Sequence, residues 1–229
     1  MLITDFCNVC FTKIYITCFK FSCSADWQLH RILSFEGGFL GAYAVAPRAG
    51  IFASAQTGNL MSAMECLYKG EGEALLFRIG FAVVFSGALV LSYILKVYAG
   101  KDLKSYCMFI DAAALFIMSL LPETLNTIVA VYPLAFAASF QWGTFSGSDG
   151  YNSSTIFITN NLKQCVWGFT EYIHSGNGAA REKGVYYGIT LILFLAGACL
   201  GYVSVGLAGI KGGLIGLIPL GAAGYILKR

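Results

Sequence analysis

Apolar residues occur along this chain in long runs, separated by short stretches that hold most of the charged residues. The boundaries predict eight apolar segments, at residues 32–46, 51–67, 75–95, 106–121, 125–143, 154–173, 185–208 and 212–227. The segments at 75–95 and 185–208 are long enough to cross the roughly 30 Å hydrocarbon core of a bilayer as helices. Polar clusters interrupt the middle of the segments at 51–67 and 154–173.

The pattern favours helices over strands. Strict alternation of apolar and polar residues is absent, and an open sheet edge is not viable in lipid. The predicted fold class is therefore an all-α, polytopic integral membrane helical bundle with about six to eight transmembrane segments. We expect an N-terminal tail at residues 1–30 and a transmembrane domain at residues 31–229.

Composition excludes several classes of protein. Of the 229 residues, 57% are apolar and 12% are charged, and the mean hydropathy is +0.70. Soluble domains carry about 25% charged residues, and a soluble chain of this length buries only roughly 70–75% of its surface. A soluble enzyme and a disordered regulator are therefore excluded. The 15 Lys and Arg residues are spread too thinly to bind nucleic acid. The expected surroundings are the lipid bilayer of a cell membrane.

Charge in the connections bears on orientation. If all eight segments cross the membrane and the N-terminus is cytoplasmic, nine Lys and Arg residues lie inside and five outside. The positive-inside rule therefore favours cytoplasmic termini. Lys96, Lys101 and Lys104 then lie on the outer side, against the rule. A segment that does not cross the membrane would change the predicted orientation.

An internal duplication is the most informative feature. The motif QTGNL at 56–60 recurs as ITNNL at 158–162, 102 residues later. Each copy follows a polar or glycine-rich break and precedes a glycine-bearing span. We predict two pseudo-repeats, at about 31–121 and 125–227, with broken helices at the motifs. The repeats are parallel if all eight segments cross, and inverted if a short segment is re-entrant.

The polar motif residues define a candidate site. Amide and hydroxyl groups at bilayer depth need partners, either in the other repeat or in a bound solute. The predicted substrate-binding residues are Gln56, Thr57, Gly58, Asn59, Gln141, Thr159, Asn160 and Asn161. The alternative is that these groups only pair helices structurally, as Thr and Asn commonly do in membranes.

Three ionisable residues within the apolar segments are candidates for ion or charge coupling, namely Glu36, Asp111 and Lys163. An intramembrane charge indicates function by default, whereas the structural alternatives are a helix-end charge or an interhelical hydrogen bond. No metalloprotease helix, serine elbow or phosphate-binding loop occurs in the sequence. We therefore expect no enzymatic activity, no metal and no cofactor.

At these motifs the chain resembles the YoaK family, bacterial membrane proteins with a domain of unknown function. The resemblance runs from about Phe35 to the C-terminus and is strongest over GGFLGAY at 37–43 and GIFASAQTGNL at 50–60. It departs from the family pattern at Gly41, where an Asp is usual, and at Asn160, where a Gly is usual. The resemblance implies a multi-pass protein of the bacterial inner membrane and brings no established substrate.

The function expected from the residues is that of a secondary transporter or channel for a small polar solute. The alternative is a non-transporting membrane scaffold or accessory subunit in which the repeat is structural packing. Glycine spacings at 197–201 and 209–216 indicate either close helix packing or a face for a homo-oligomer.

Overall fold

The computed structural model describes residues 24–47, 51–100, 102–122 and 124–228. Most of the predicted tail, residues 1–23, lies outside the described residues, and helix α1 begins at Ala25. The helices are α1 (Ala25–Val45), α2 (Gln56–Lys69), α3 (Gly72–Val97), α4 (Lys104–Leu120), α5 (Thr127–Ala130), α6 (Tyr132–Thr144), α7 (Thr159–Ser175), α8 (Gly178–Ala208) and α9 (Leu217–Leu227), with a 3₁₀ segment (Gly209–Gly216) before α9. A small antiparallel hairpin pairs β1 (Gly147–Ser148) with β2 (Tyr151–Asn152).

Local sequence explains several of the helix ends. Ser24 caps α1 by accepting a hydrogen bond from the Trp27 amide at 3.0 Å, and Asn177 caps α8 by accepting one from the Ala179 amide at 3.0 Å. Helices α2 and α7 both end at a glycine in the left-handed conformation, with φ of 73° at Gly70 and 69° at Gly176. Glycine adopts this conformation without steric cost, so each short helix turns sharply into the long helix that follows.

The long helices pack in two parallel pairs. Helix α1 runs beside α8: the Trp27 ring stacks on Tyr186, and further along, the Phe35 carbonyl lies against Gly197. Helix α6 runs beside α3, where the Tyr132 hydroxyl donates to the Phe77 carbonyl at 2.6 Å and the Ser139 hydroxyl donates to the Phe85 carbonyl at 2.5 Å. In both pairs the contacts advance in the same direction along the two chains.

Two apolar clusters then fix the direction of one pair relative to the other. The N-terminal cluster joins the start of α1 to the start of α4 and to the ends of α6 and α9; it contains Leu29, Leu33, Cys107, Met108, Phe140 and Ala223. The central cluster joins the later part of α1 to the later part of α4 and to the start of α6; it contains Phe39, Leu40, Tyr43, Leu115, Met118 and Leu134. Helix α4 is thus parallel to α1, whereas α6 and α9 are antiparallel to it.

The all-helical fold class is confirmed. Two helical stretches within the described residues, Gly72–Val97 and Gly178–Leu227, are long and apolar enough to cross a membrane. The segments predicted at 51–67 and 154–173 are helical only from Gln56 and Thr159 onward, and the residues before them are non-helical yet largely buried. The segment predicted at 212–227 begins as 3₁₀ helix, because Gly209 has a φ of 57° and breaks α8.

Glycines permit the closest approaches between these elements. A Cβ at Gly38 on α1 would overlap the Phe194 carbonyl of α8, and one at Gly197 on α8 would overlap the Phe35 carbonyl of α1. The glycines of the 3₁₀ segment pack likewise inside the chain, Gly212 on the end of α8 and Gly213 on the Tyr43 ring. These glycines therefore serve helix packing within one copy of the chain.

Candidate functional site

The two copies of the motif build the same local structure. In each copy a buried non-helical stretch leads into a short helix, and an asparagine in the first turn of that helix reaches back to the stretch. Asn59 Nδ2 donates to the Phe52 carbonyl at 3.2 Å, and Asn161 Nδ2 donates to the Ser154 carbonyl at 2.7 Å. Each bond spans seven residues. The Asn161 bond supplies the Ser154 carbonyl with a donor, and the Asn59 bond adds a second donor to the Phe52 carbonyl, which also accepts from the Ala55 amide at 3.2 Å.

The two non-helical stretches meet in the interior. The Ser54 hydroxyl of the first copy donates to the Ile156 carbonyl of the second at 3.5 Å. The second copy is held further by Ser153, whose hydroxyl donates to Asn161 Oδ1 at 3.2 Å and lies 3.1 Å from His30 Nε2. The starts of α2 and α7 are therefore brought to opposite sides of one space.

That space is a cavity of about 470 Å³. Its polar wall is formed by Ser54, Gln56 and Thr57 from the first copy and by Thr159 from the second. Its apolar wall comes from both copies and from three long helices, and consists of Phe52, Ala55, Phe85, Trp142, Ile156, Phe157, Ile158 and Phe194. The Trp142 ring packs edge-on against Phe157, with ring centroids 4.9 Å apart.

The helix starts give this cavity its electrostatic character. Within the described residues, no side chain caps the N-terminus of α2 or of α7. The first amide groups of a helix lack intrahelical acceptors, and the helix dipole places partial positive charge there. Two such ends at one cavity create a positive potential there, which favours a carboxylate, a phosphate or another polar acceptor group.

The predicted substrate-binding residues separate into three groups. Gln56, Thr57 and Thr159 line the cavity. Asn59 and Asn161 are buried behind its wall and bonded to backbone carbonyls, while Gly58 and Asn160 are exposed and do not line it.

Gln141 lies in the interior behind the second copy. Its Nε2 donates to the Thr155 hydroxyl at 2.9 Å, and a longer bond of 3.4 Å reaches the Leu33 carbonyl of α1. Its Oε1 is buried and has no hydrogen-bond partner within the described residues. Gln141 therefore connects α6, α1 and the second non-helical stretch rather than lining the cavity.

The three charged candidates occupy two different environments. Glu36 on α1 and Asp111 on α4 are both completely buried. Lys163 is exposed on α7, where its ammonium group lies 4.9 Å from the centre of the Trp167 ring. The structure therefore brings the two acids into the bundle interior and leaves the lysine at its surface.

Sequence reasoning missed the aromatic wall. Phe85 and Phe194 each lie two or three residues before a glycine of the spans that follow the motifs, and that shared position was the available signal. Trp142 adjoins Gln141, but nothing in its local sequence indicates a cavity. Within the described residues, no group of three or more His, Cys, Asp or Glu side chains is placed to hold a metal ion.

Comparison with known proteins gives one match. A family model described as a protein of unknown function (DUF1275) matches residues 29–226. No curated protein and no solved structure matches the chain.

Proposed function

The chain belongs to the DUF1275 family, whose function is unknown, and we propose from the geometry that it is a multi-pass carrier of a small polar or anionic solute. YoaK-like proteins belong to the same family, which confirms the resemblance found in the sequence. The observation that carries the proposal is the cavity between the N-terminal ends of α2 and α7. The proposed location is the bacterial inner membrane.

Exposure of apolar side chains supports immersion in lipid. Val83 on α3 is 64% exposed and Ile192 on α8 is 68% exposed, and large apolar side chains are exposed along α4 as well. The core helix of a soluble protein would bury such residues, and a continuous exposed apolar surface of this kind marks contact with a membrane or a partner. Lipid around the bundle accounts for all of these surfaces together.

Matching contacts support an inverted repeat. In the first repeat α1 packs on α8 and α9, and in the second α6 packs on α3 and α4. Helix α2 packs on α3 just as α7 packs on α8. Because α1 and α6 are antiparallel, the two halves have opposite directions. Inverted repeats with broken helices at the interface are typical of secondary transporters.

Helix directions support a proposed topology of six crossings and two re-entrant segments. Helix α2 spans 14 residues, about 21 Å at 1.5 Å per residue, and the stretch before it is non-helical, so it is too short to cross the bilayer. Helices α6 and α9 are shorter still, but with α5 before α6 and the 3₁₀ segment before α9 these crossings extend over residues 127–144 and 209–227. It starts in the bundle interior, next to Phe85 near the middle of α3, and returns to the end where α3 begins. Helix α7 does the same at the other end of the bundle.

This topology also resolves the conflict over charge. Six described basic residues lie at the end of the bundle where α1 begins: Arg31, Lys96, Lys104, Arg181, Lys183 and Lys228. Three lie at the opposite end: Lys69, Arg78 and Lys211. The positive-inside rule then favours a cytoplasmic position for the end of the bundle where α1 begins and α9 ends, together with Lys96 and Lys104.

Cavity chemistry defines the class of solute. A volume of about 470 Å³ is within the range of small-molecule sites, roughly 300–1,000 Å³. The helix ends and hydroxyls favour a carboxylate or another polar acceptor, and the aromatic wall favours a short apolar body. A small organic anion satisfies both walls.

Cysteine labelling in membranes tests the proposal. Thr57→Cys and Thr159→Cys, in a background without native cysteines, are expected to react with a polar, membrane-impermeant maleimide added to opened vesicles. The matched control is Val83→Cys, which is exposed on the bundle but faces lipid in our topology, and which we expect to stay unreactive. Unreactive cysteines at both 57 and 159, or a reactive one at 83, would contradict the proposal.

One observation favours the alternative of a non-transporting scaffold. Asn59, Asn161 and Gln141 all bond to groups of the same chain, as purely structural residues would. In that case the cavity stays dry, and the maleimide does not reach position 57 or 159. The proposal assigns no catalytic activity to the protein.

A further inference from the structure

Two buried carboxyl groups lie at the same level of the bundle on the parallel helices α1 and α4. Glu36 on α1 and Asp111 on α4 are completely buried and close enough to interact electrostatically. Glu36 lies between Leu33 of the N-terminal cluster and Leu40 of the central cluster, and Asp111 lies in the same way between Met108 and Leu115. The pair therefore occupies the level at which one apolar cluster gives way to the other.

This level of the bundle is rich in hydrogen-bond acceptors and poor in donors. Both Glu36 oxygens and Asp111 Oδ1 have no hydrogen-bond partner within the described residues. The only donor to the pair found there is the Cys107 thiol, 3.5 Å from Asp111 Oδ2. Gln141 Oε1 is a further buried oxygen with no hydrogen-bond partner in the part of the chain that the structure describes, and Gln141 Nε2 donates to the Leu33 carbonyl, one turn before Glu36.

Bare carboxylates in such a place are costly. An unpaired charge inside a membrane protein costs several kcal/mol or more unless a partner compensates it. Neither acid forms an ion pair among the described residues, where the ion pairs are Lys69–Glu65 and Lys104–Asp26. Two carboxylates that interact electrostatically also repel each other, which favours a proton on one of them.

We propose that Glu36 and Asp111 form a proton-binding pair that couples solute movement to a proton; this rests on the proposed function. A proton from one side of the membrane binds a carboxylate oxygen of the pair, forming an O–H bond. Breaking that bond releases the proton to the other side, so that the pair is left as it began.

Other titratable groups on the helices packed around Glu36 and Asp111 have other partners, are exposed or lie at a helix end. Tyr132 is bonded to the Phe77 carbonyl, and Tyr43 donates to the Ile210 carbonyl. On the same helices, His30 lies beside Ser153, Tyr186 beside Ser148, Cys107 beside Asp111 and Lys104 beside Asp26. Further groups are Arg31 and Arg181, which lie over the Trp27 and Tyr172 rings, Tyr187, which donates to the Asn152 carbonyl, Lys183 at the start of α8, and the exposed Tyr225 and Lys211. None of them supplies a cation to the pair in the described part of the chain.

A direct structural route joins the pair to the cavity. Gly37, the neighbour of Glu36, packs against the Thr155 carbonyl, and Gln141 holds the Thr155 hydroxyl at 2.9 Å. Thr155 is followed by Ile156, Phe157 and Ile158, which line the cavity. Movement of α1 that accompanies protonation would therefore act on the second re-entrant segment.

Infrared titration of the protein in lipid nanodiscs tests proton binding directly. We expect the C=O band of a protonated carboxyl group at neutral pH, equal in sodium chloride and in choline chloride. The band should disappear in the double variant Glu36→Gln, Asp111→Asn and persist in Glu65→Gln, whose carboxyl is exposed beside Lys69. No band, a band that survives in the double variant, or a band that sodium removes would overturn the proposal.

Labelling kinetics test the coupling. We expect the labelling rate of Thr159→Cys to depend on pH more steeply when Glu36 is present than in the Glu36→Gln background. The same thiol is labelled in both, so its own titration cancels in the comparison. Equal pH profiles in the two backgrounds would refute the coupling. If position 159 reacts in both, the water-filled cavity stands while proton coupling fails; if neither position 57 nor 159 reacts, the proposed function itself fails.

Discussion

Asn161 is the residue at which the structure makes its sharpest prediction. Its side chain is fully buried, donates to the Ser154 carbonyl at 2.7 Å and accepts from the Ser153 hydroxyl at 3.2 Å. Asn161→Ala removes both bonds and leaves the Ser154 carbonyl without its partner. Each buried polar group left unsatisfied costs about 1–3 kcal/mol. Because the Ser153 hydroxyl retains its contact with His30, we expect a total loss of roughly 2–4 kcal/mol in the free energy of unfolding.

Two other asparagine substitutions serve as comparisons for the destabilisation expected of Asn161→Ala. Asn59→Ala removes one bond of 3.2 Å at a slightly exposed position, and the Phe52 carbonyl keeps its bond from the Ala55 amide, so we expect a cost of about 0.5–1.5 kcal/mol. Asn160→Ala changes an exposed side chain and should stay within about 0.5 kcal/mol of the wild type. The predicted order of destabilisation is therefore Asn161, then Asn59, then Asn160.

Thermal unfolding of the purified variants in detergent measures this order. A domain of 150–250 residues loses about 2–4 °C in Tm per kcal/mol, so Asn161→Ala should lower Tm by roughly 4–16 °C. Asn59→Ala and Asn161→Ala should both still insert into the membrane, yet lose solute transport, because the wall of the cavity is displaced. An Asn161→Ala variant as stable as Asn160→Ala would refute the role we assign to this side chain.

Three further predictions concern packing and topology. Gly38→Ala drives a methyl group into the Phe194 carbonyl and should destabilise the fold by about 1–3 kcal/mol, whereas Gly87→Ala places its methyl group in open space and should be neutral or slightly stabilising. Fluorescence-detected size exclusion after heating compares the stability of the two variants, and equal melting temperatures would contradict the packing of α1 on α8. Tyr132→Phe removes the 2.6 Å bond to the Phe77 carbonyl and should cost about 1 kcal/mol, measurable as a Tm shift of a few degrees; no shift would mean that the bond contributes nothing. A fluorescent protein fused after Arg229 should fluoresce in the cytoplasm, while alkaline phosphatase inserted at Gly70 should be active outside; the opposite pattern would contradict the topology.

Sequence patterns predicted the helices well because long apolar stretches bounded by charged connections are typical of helices. The segments at 75–95 and 185–208 correspond to α3 and α8 for this reason. The helix starts at Gln56 and Thr159 could not be predicted, since apolarity does not distinguish a buried non-helical stretch from the first turn of a helix. Whether the repeats are parallel or inverted depends on where those helices start, so the sequence alone could not distinguish the two arrangements.

The candidate site was predictable only in part. A repeated polar motif indicates that polar groups lie at depth, and three of its residues, Gln56, Thr57 and Thr159, do line the cavity. The bonds of Asn59 and Asn161 depend on the path of the backbone seven residues earlier, which no spacing rule specifies. Phe85, Trp142 and Phe194 come from three separate helices, so only tertiary packing brings them to one wall.

A thermal-shift screen asks whether the cavity between α2 and α7 holds a solute. The purified protein is screened against small organic anions and neutral polar metabolites, alongside Trp142→Ala and the matched control Trp167→Ala, whose ring is exposed on α7. A ligand at about 100 times its Kd stabilises the folded state by about 2.7 kcal/mol. We predict an anionic ligand whose shift is lost in Trp142→Ala and kept in Trp167→Ala. A library without any stabilising compound, or a shift that Trp142→Ala leaves intact, would contradict the proposal that this cavity binds a solute.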